Sequence, residues 1–301
     1  MRPLIVPLAL LGACTRPADE FRNVLPDDRL VIDEAGFSSL ARGAGDPSDY
    51  ALLTHGVITD LNTGIEDVLR LVDAITSFPA TWSGDDDQAL WGPWEDDGIQ
   101  GQLWVHGTEA EGYTWAIEVR PAEGDEDWTP ILAGVVDAGS NAETSSGHFA
   151  IDFTAVDGVG AGDGETGALT TVYTLRPDGA EATVALGEYS EDGSVPADAA
   201  VHYDHTQGAG GFMDLALEVD ASDPANGSLE TAIVRSRWTE TGAGRADAYL
   251  TGGDLGPLTY TETDCWDDAQ ITVYLMNNFE LLTEGDPSLC AFTDASFPPE
   301  E

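Results

Sequence analysis

Lysine is absent from this 301-residue chain, so all 11 of its basic side chains are arginines. That excludes chemistry built on a side-chain amine: the phosphate-gripping lysine of a P-loop, a Schiff-base lysine, or a Ser-x-x-Lys nucleophile. Positive charge is scarce altogether. Against those arginines stand 56 acidic residues, for a formal net charge of −45, and a field of that sign repels nucleic acid and anionic lipid, which excludes a nucleic-acid partner. No apolar run approaches the roughly 20 residues of a membrane-spanning helix. The nucleophile elbow Gly-x-Ser-x-Gly and the zinc helix His-Glu-x-x-His are both missing, so the commonest hydrolase motifs drop out. What the chain does have is 42% hydrophobic residues, enough for a sizeable core. Self-repulsion on this scale is best tolerated in a saline or calcium-containing surrounding that screens it.

The first residues carry one positive charge, Arg2, then a short apolar run ending in Leu11-Gly12-Ala13-Cys14. This segment resembles the bacterial lipobox, with Leu three positions before a cysteine and small residues between. The resemblance implies that residues 1–13 form a signal peptide, that cleavage precedes Cys14, and that the Cys14 sulfur carries the lipid that joins the protein to a membrane. Thr15, where an Asp would signal retention in the inner membrane, favours the outer membrane of the cell envelope. Residues 14–28 are polar, with Pro17 and Pro26, and read as a flexible tether. Residues 29–301 read as one domain. With Cys14 lipidated, Cys265 and Cys290 remain as a pair, expected as a disulfide in an oxidising compartment. Their spacing lacks the close Cys-x-x-Cys pattern of zinc ligands.

Helical periodicity is confined to the N-terminal quarter. Asp46-Pro47-Ser48-Asp49 reads as a helix start with Asp46 as N-cap and Pro47 at the first helical position. Apolar residues then recur at Tyr50, Leu53, Val57, Leu61, Ile65, Val68, Val72 and Ile75, predicting a helix of about 30 residues that ends near Phe78-Pro79. Leu52, Ile58, Leu69 and Leu71 widen the stripe, so the helix is expected inside the molecule, with Gly56 and Gly64 marking close approach or a kink. A shorter helix is expected around Leu30 to Arg42. From Trp91 onward the period becomes two: Tyr113, Trp115, Ile117 and Val119; Phe149, Ile151 and Phe153; Met213, Leu215, Leu217 and Val219; Ile271, Val273 and Leu275. Turn dipeptides at Glu111-Gly112, Asp178-Gly179 and Asn226-Gly227 punctuate them. About 11–13 strands at hairpin spacing predict an α+β, mainly β fold. The expected form is a large curved antiparallel sheet, half-barrel or barrel, packed around the long helix. The glycine-rich stretch from Gly158 to Gly164 reads as an exposed loop.

The order of long helix, Pro79-Ala80-Thr81, Trp91-Gly92-Pro93 and Gly147-His148-Phe149-Ala150-Ile151-Asp152-Phe153 resembles a group of uncharacterised acidic secreted lipoproteins from myxobacteria-like organisms. The likeness covers about Asp46 to Leu186 and carries no catalytic residue over.

Candidate chemistry is sparse. His202-Tyr203-Asp204-His205 is the densest run of ligand types, but on a strand His202 and Asp204 share one face while His205 takes the other. The loop from Asp220 to Glu230 offers weak calcium ligands in Asp220, Asp223, Asn226 and Glu230, without the spacing of an EF-hand. No other cofactor is implied. Six tryptophans, Trp82, Trp91, Trp94, Trp104, Trp115 and Trp128, fall in one stretch and serve either a core or a pocket for a hydrophobic or carbohydrate ligand. The expected function is a non-enzymatic envelope lipoprotein with a structural or binding role. The rival is a secreted hydrolase acting on polysaccharide or peptide, which needs two carboxylates in a cleft.

Overall fold

The computed structural model describes residues 21–22, 24–32, 37, 47–83, 87–123, 127–162, 164–190, 196–221 and 228–294. Cys14, Asp223 and Asn226 lie outside them, as does most of the shorter helix expected around Leu30 to Arg42.

One long helix, α1 (Asp49–Thr76), precedes a 15-stranded antiparallel sheet. Its first strands are β1 (Trp82–Ser83), β2 (Gln88–Asp96), β3 (Ile99–Thr108), β4 (Gly112–Pro121) and β5 (Thr129–Val136). Then come β6 (Ser145–Asp152), β7 (Thr166–Arg176), β8 (Gly179–Ser190), β9 (Ala197–Thr206) and β10 (Gly210–Val219). The last are β11 (Glu230–Thr239), β12 (Gly244–Gly252), β13 (Thr259–Trp266), β14 (Thr272–Asn277) and β15 (Thr283–Gly285). Spatial order equals sequence order from β1 to β15, and the two end strands do not pair, so the sheet is an open meander. A closed barrel is therefore not formed. The expected strand number falls short because β1 and β15 have two and three residues, too few to show a period.

Alternation decides which face is covered. Leu103, Trp115, Phe149, Tyr173, Tyr203, Met213, Trp238 and Trp266 are buried on one face, in a core that also takes Ala51, Ile58, Ile65 and Val72 of α1. On the other face a polar row runs across neighbouring strands, from Thr183 through His202, Asp214, Arg235 and Asp247 to Thr263. Phe153 does not extend β6. It opens a short helix, α2 (Phe153–Gly158), N-capped by Asp152, whose carboxylate accepts from the Ala155 amide at 2.8 Å.

The N-cap of α1 is Ser48, two residues later than the sequence suggests. Pro47 bridges to Ile271 and the Ser48 amide donates to the Gln270 carbonyl at 2.9 Å. This extended pairing holds the chain out of helical conformation until Asp49. Nor is α1 covered all round. Leu52, Leu53 and Leu71 are 39–45% exposed, and Gly56 and Gly64 face open space with nothing near a built Cβ. The helix lies across one face of the sheet with a solvent side.

Residues 21–32 are not free tether. Phe21, Val24, Leu30 and Ile32 are buried, and several backbone groups there find partners on the sheet and the helix. Ser145 donates to the Val24 carbonyl, Tyr203 to the Leu30 carbonyl, and the Asn62 side chain pairs with both the amide and the carbonyl of Ile32. Packed chain begins by Phe21.

The Cys265–Cys290 disulfide is present, closing a separation of 25 residues. It draws the C-terminal segment over the polar face, where Arg245 donates to the Thr293 carbonyl and the Arg237 guanidinium stacks 4.7 Å from the Phe292 ring.

Candidate functional site

The His202–His205 run diverges as strand alternation requires. His202 stands on the polar face beside Thr183 and Glu181, and Asp204 on the same face holds Arg176 through both its oxygens. His205 is buried on the covered face, its Nε2 3.0 Å from the Arg29 carbonyl.

Of the four calcium candidates, Asp220 and Glu230 are described. Glu230 is buried, and its carboxylate accepts from the Ala221 amide at 2.8 Å and from the Asp254 amide at 3.1 Å. It ties the connection after β10 to the turn after β12. Among the described residues, no group of three or more His, Cys, Asp or Glu is placed to hold a metal ion.

The acidic run Glu95-Asp96-Asp97-Gly98 is a tight turn between β2 and β3, with Asp97 and Gly98 both at positive φ, 46° and 81°. That is the geometry of a type I′ hairpin.

Carboxyl groups held above their ordinary range cluster at the start of α1. Asp264 is buried, and desolvation outweighs the bonds from Ser48 and Thr272 that favour its charge. The Ser48 hydroxyl donates to it at 2.6 Å. Glu262, two residues along β13 and half-buried, is raised by desolvation and by the neighbouring charges of Asp264, Asp49 and Glu280. The Tyr50 phenol beside them is pushed far up by burial and the same carboxylates. Asp264 takes the Ser48 hydroxyl on one oxygen and so joins the helix cap to β13.

The tryptophans divide. Trp91 and Trp115 are 2% exposed, whereas Trp94 and Trp82 are 37% and 50% exposed. Trp128 carries the Arg120 guanidinium at 4.4 Å.

A cavity of about 450 Å³ opens between the segment after Arg22, the C-terminal half of α1 and the covered face of the sheet. Leu25, Val68, Leu69, Val72, Trp115 and Phe149 give it an apolar body, and Arg22, Arg70, Asp27 and Asp73 stand around it. Trp115 stacks into an aromatic group with Phe21, which also meets Trp91 and Tyr113. The indole packs on Gly134, where a Cβ would sit 2.6 Å from the ring. Its Nε1–H is buried without a hydrogen-bond partner. A buried donor left unpaired costs about 1–3 kcal/mol, and other atoms of the Trp115 side chain form part of the cavity wall. Sequence reasoning grouped Trp115 with five other tryptophans. Alternation with Tyr113 and Ile117 placed it on the buried face, but the cavity depends on residues 21–28, which read as tether.

Comparison of the chain with protein families, with characterised proteins and with solved structures finds no match.

Proposed function

We propose that the chain is an envelope lipoprotein, anchored through an acyl group on Cys14, whose folded domain is a non-enzymatic binding module. Its ligand has an apolar body, such as an acyl chain. The observation that carries this reading is the 450 Å³ cavity, whose wall of Leu25, Val68, Leu69, Val72, Trp115 and Phe149 is mostly aliphatic and aromatic. That volume falls within the range of small-molecule sites, about 300–1,000 Å³.

A half-barrel form of the sheet fits the same reading. The start of α1 meets β13 through Ser48 and Asp264, and Phe78, just after its end, meets β2 by accepting from Trp91 Nε1 at 2.9 Å. A 28-residue helix is about 42 Å long, while β2 and β13 in a flat sheet would lie about 53 Å apart. Bending the sheet toward α1 removes the difference. The helix is also pinned in mid-length by Thr54 to Ser236 and Asn62 to Ile32, so a ligand enters beside α1 without displacing it.

Two measurements test the proposal. Labelled palmitate should be incorporated at Cys14, and native mass spectrometry of protein extracted without added lipid should show a bound amphiphile. Trp115→Phe should lower ligand occupancy several-fold by reshaping the cavity wall, at some cost in stability because the smaller ring leaves buried space unfilled. Full occupancy in that variant, or an empty wild-type protein, would reject the site. The hydrolase reading has only the raised pair Glu262 and Asp264 in its favour, and Asp264 is committed to Ser48.

A further inference from the structure

At the C-terminal end of α1 a second cavity of about 390 Å³ opens as a groove with almost no polar lining, walled by Leu71, Ile75, Phe78, Pro79, Trp91 and Trp94. Its rim is well exposed, with Phe78 at 67%, Leu71 at 45% and Trp94 at 37%. Trp94 is fixed there because Gly101 lacks a Cβ, which would sit 2.5 Å from the indole. A Trp held half in and half out beside exposed Leu and Phe suits the boundary between acyl chains and headgroups.

We propose that this groove is the surface by which the folded domain rests on the bilayer that holds its own anchor, an inference that depends on lipidation of Cys14. The packed chain begins at this place: the Arg22 guanidinium donates to the Phe78 carbonyl at 2.8 Å, and the Phe21 ring lies 6.4 Å from that of Trp91. Cys14 stands seven positions before Phe21, so the intervening chain reaches at most about 25 Å. The anchor is thus held within reach of the groove. Leu258, Phe279 and Leu281, also exposed, lie in the connections flanking β13 and β14, and β13 meets the opposite end of α1. A net charge of −45 opposes adsorption to anionic lipid, so contact relies on apolar insertion and on the high local concentration that a short tether provides.

The test uses the full acylated chain in vesicles of phosphatidylcholine and phosphatidylethanolamine whose acyl chains are brominated near the headgroup. Tryptophan emission should be quenched relative to unbrominated vesicles, and Trp94→Phe should remove a large part of that quenching. Leu71→Asp with Phe78→Asp, both on exposed positions, should reduce it several-fold while the thermal midpoint in detergent is kept. Acylated protein with no quenching, or quenching indifferent to these changes, overturns the docking proposal alone. So does a dimer in vesicles that buries the groove, since a second copy is then the occupant. Absence of palmitate label on Cys14 overturns the lipoprotein reading and this one with it.

Discussion

Ser48 performs two tasks with one hydroxyl. It accepts from the Ala51 amide as the N-cap of α1 and donates to buried Asp264. Ser48→Ala should therefore cost more than the ~1 kcal/mol typical of a lost cap, because it also strips a buried carboxyl of its donor; a total of about 2–3 kcal/mol is expected in urea denaturation. Ser48→Thr, which keeps the hydroxyl, should recover most of it. The sequence announces a helix start here with Asp46 as its cap. What selects Ser48 is the pairing of Pro47 and Ser48 with Ile271 and Gln270, a contact across more than two hundred residues that no local pattern encodes. The same holds for Trp115: it was legible as inward, but its lack of a hydrogen-bond partner was not.

At the level of single elements, α1 was legible in extent because a 3.6-residue period over seven turns has few other readings. Its degree of burial was misjudged because apolar count does not say how wide a surface the sheet offers. Leu52, Leu53 and Leu71 widen the stripe beyond what is covered. Gly56 and Gly64 follow from this. With no neighbour near a built Cβ, Gly56→Ala and Gly64→Ala should each stabilise the protein by about 1 kcal/mol, read as a rise in denaturation midpoint. The strands were legible wherever one face is buried. The acidic run before Gly98 is hairpin chemistry, with Asp97 and Gly98 both at positive φ. The disulfide was legible by counting once Cys14 is set aside. Cys290→Ala should lower stability by about 3 kcal/mol and release the segment that carries Phe292 and Thr293 from Arg237 and Arg245, detectable as new protease cleavage after β15.

For the molecule as a whole, charge governs the response to pH and salt. Asp214, Glu262 and Asp264 are all held above the ordinary carboxyl range, each chiefly by desolvation. A raised folded value means the folded state binds more protons than the unfolded one. The stability this contributes is complete below the unfolded value, about pH 4, and is lost as pH rises through the raised values. Asp286 is shifted down by the Ser288 amide, and its effect falls below that window. The thermal midpoint should accordingly be higher at pH 5 than at pH 8, the reverse of a protein stabilised by ionised carboxylates. It should also climb on going from low salt to 1 M, where the Debye length shrinks to about 3 Å. A midpoint that is flat in both series would show the surface carboxylates to be too well solvated to matter.

The strict meander has a temporal side. Every strand finds its neighbour among the residues made just before it, so hairpins can form in turn as the polypeptide lengthens. The long helix has no such convenience: it is made first, yet the groups that seat it, Ser236 and Asp264, are made near the end. A nascent molecule must carry the N-terminal part of that greasy rod unseated through most of its synthesis, although Asn62 can already hold Ile32 and Trp91 can reach Phe78. Closure of the interior therefore waits for β11 and β13, and chains cut short before β13 should collect as unclosed, aggregation-prone species even though most of their hairpins are already complete.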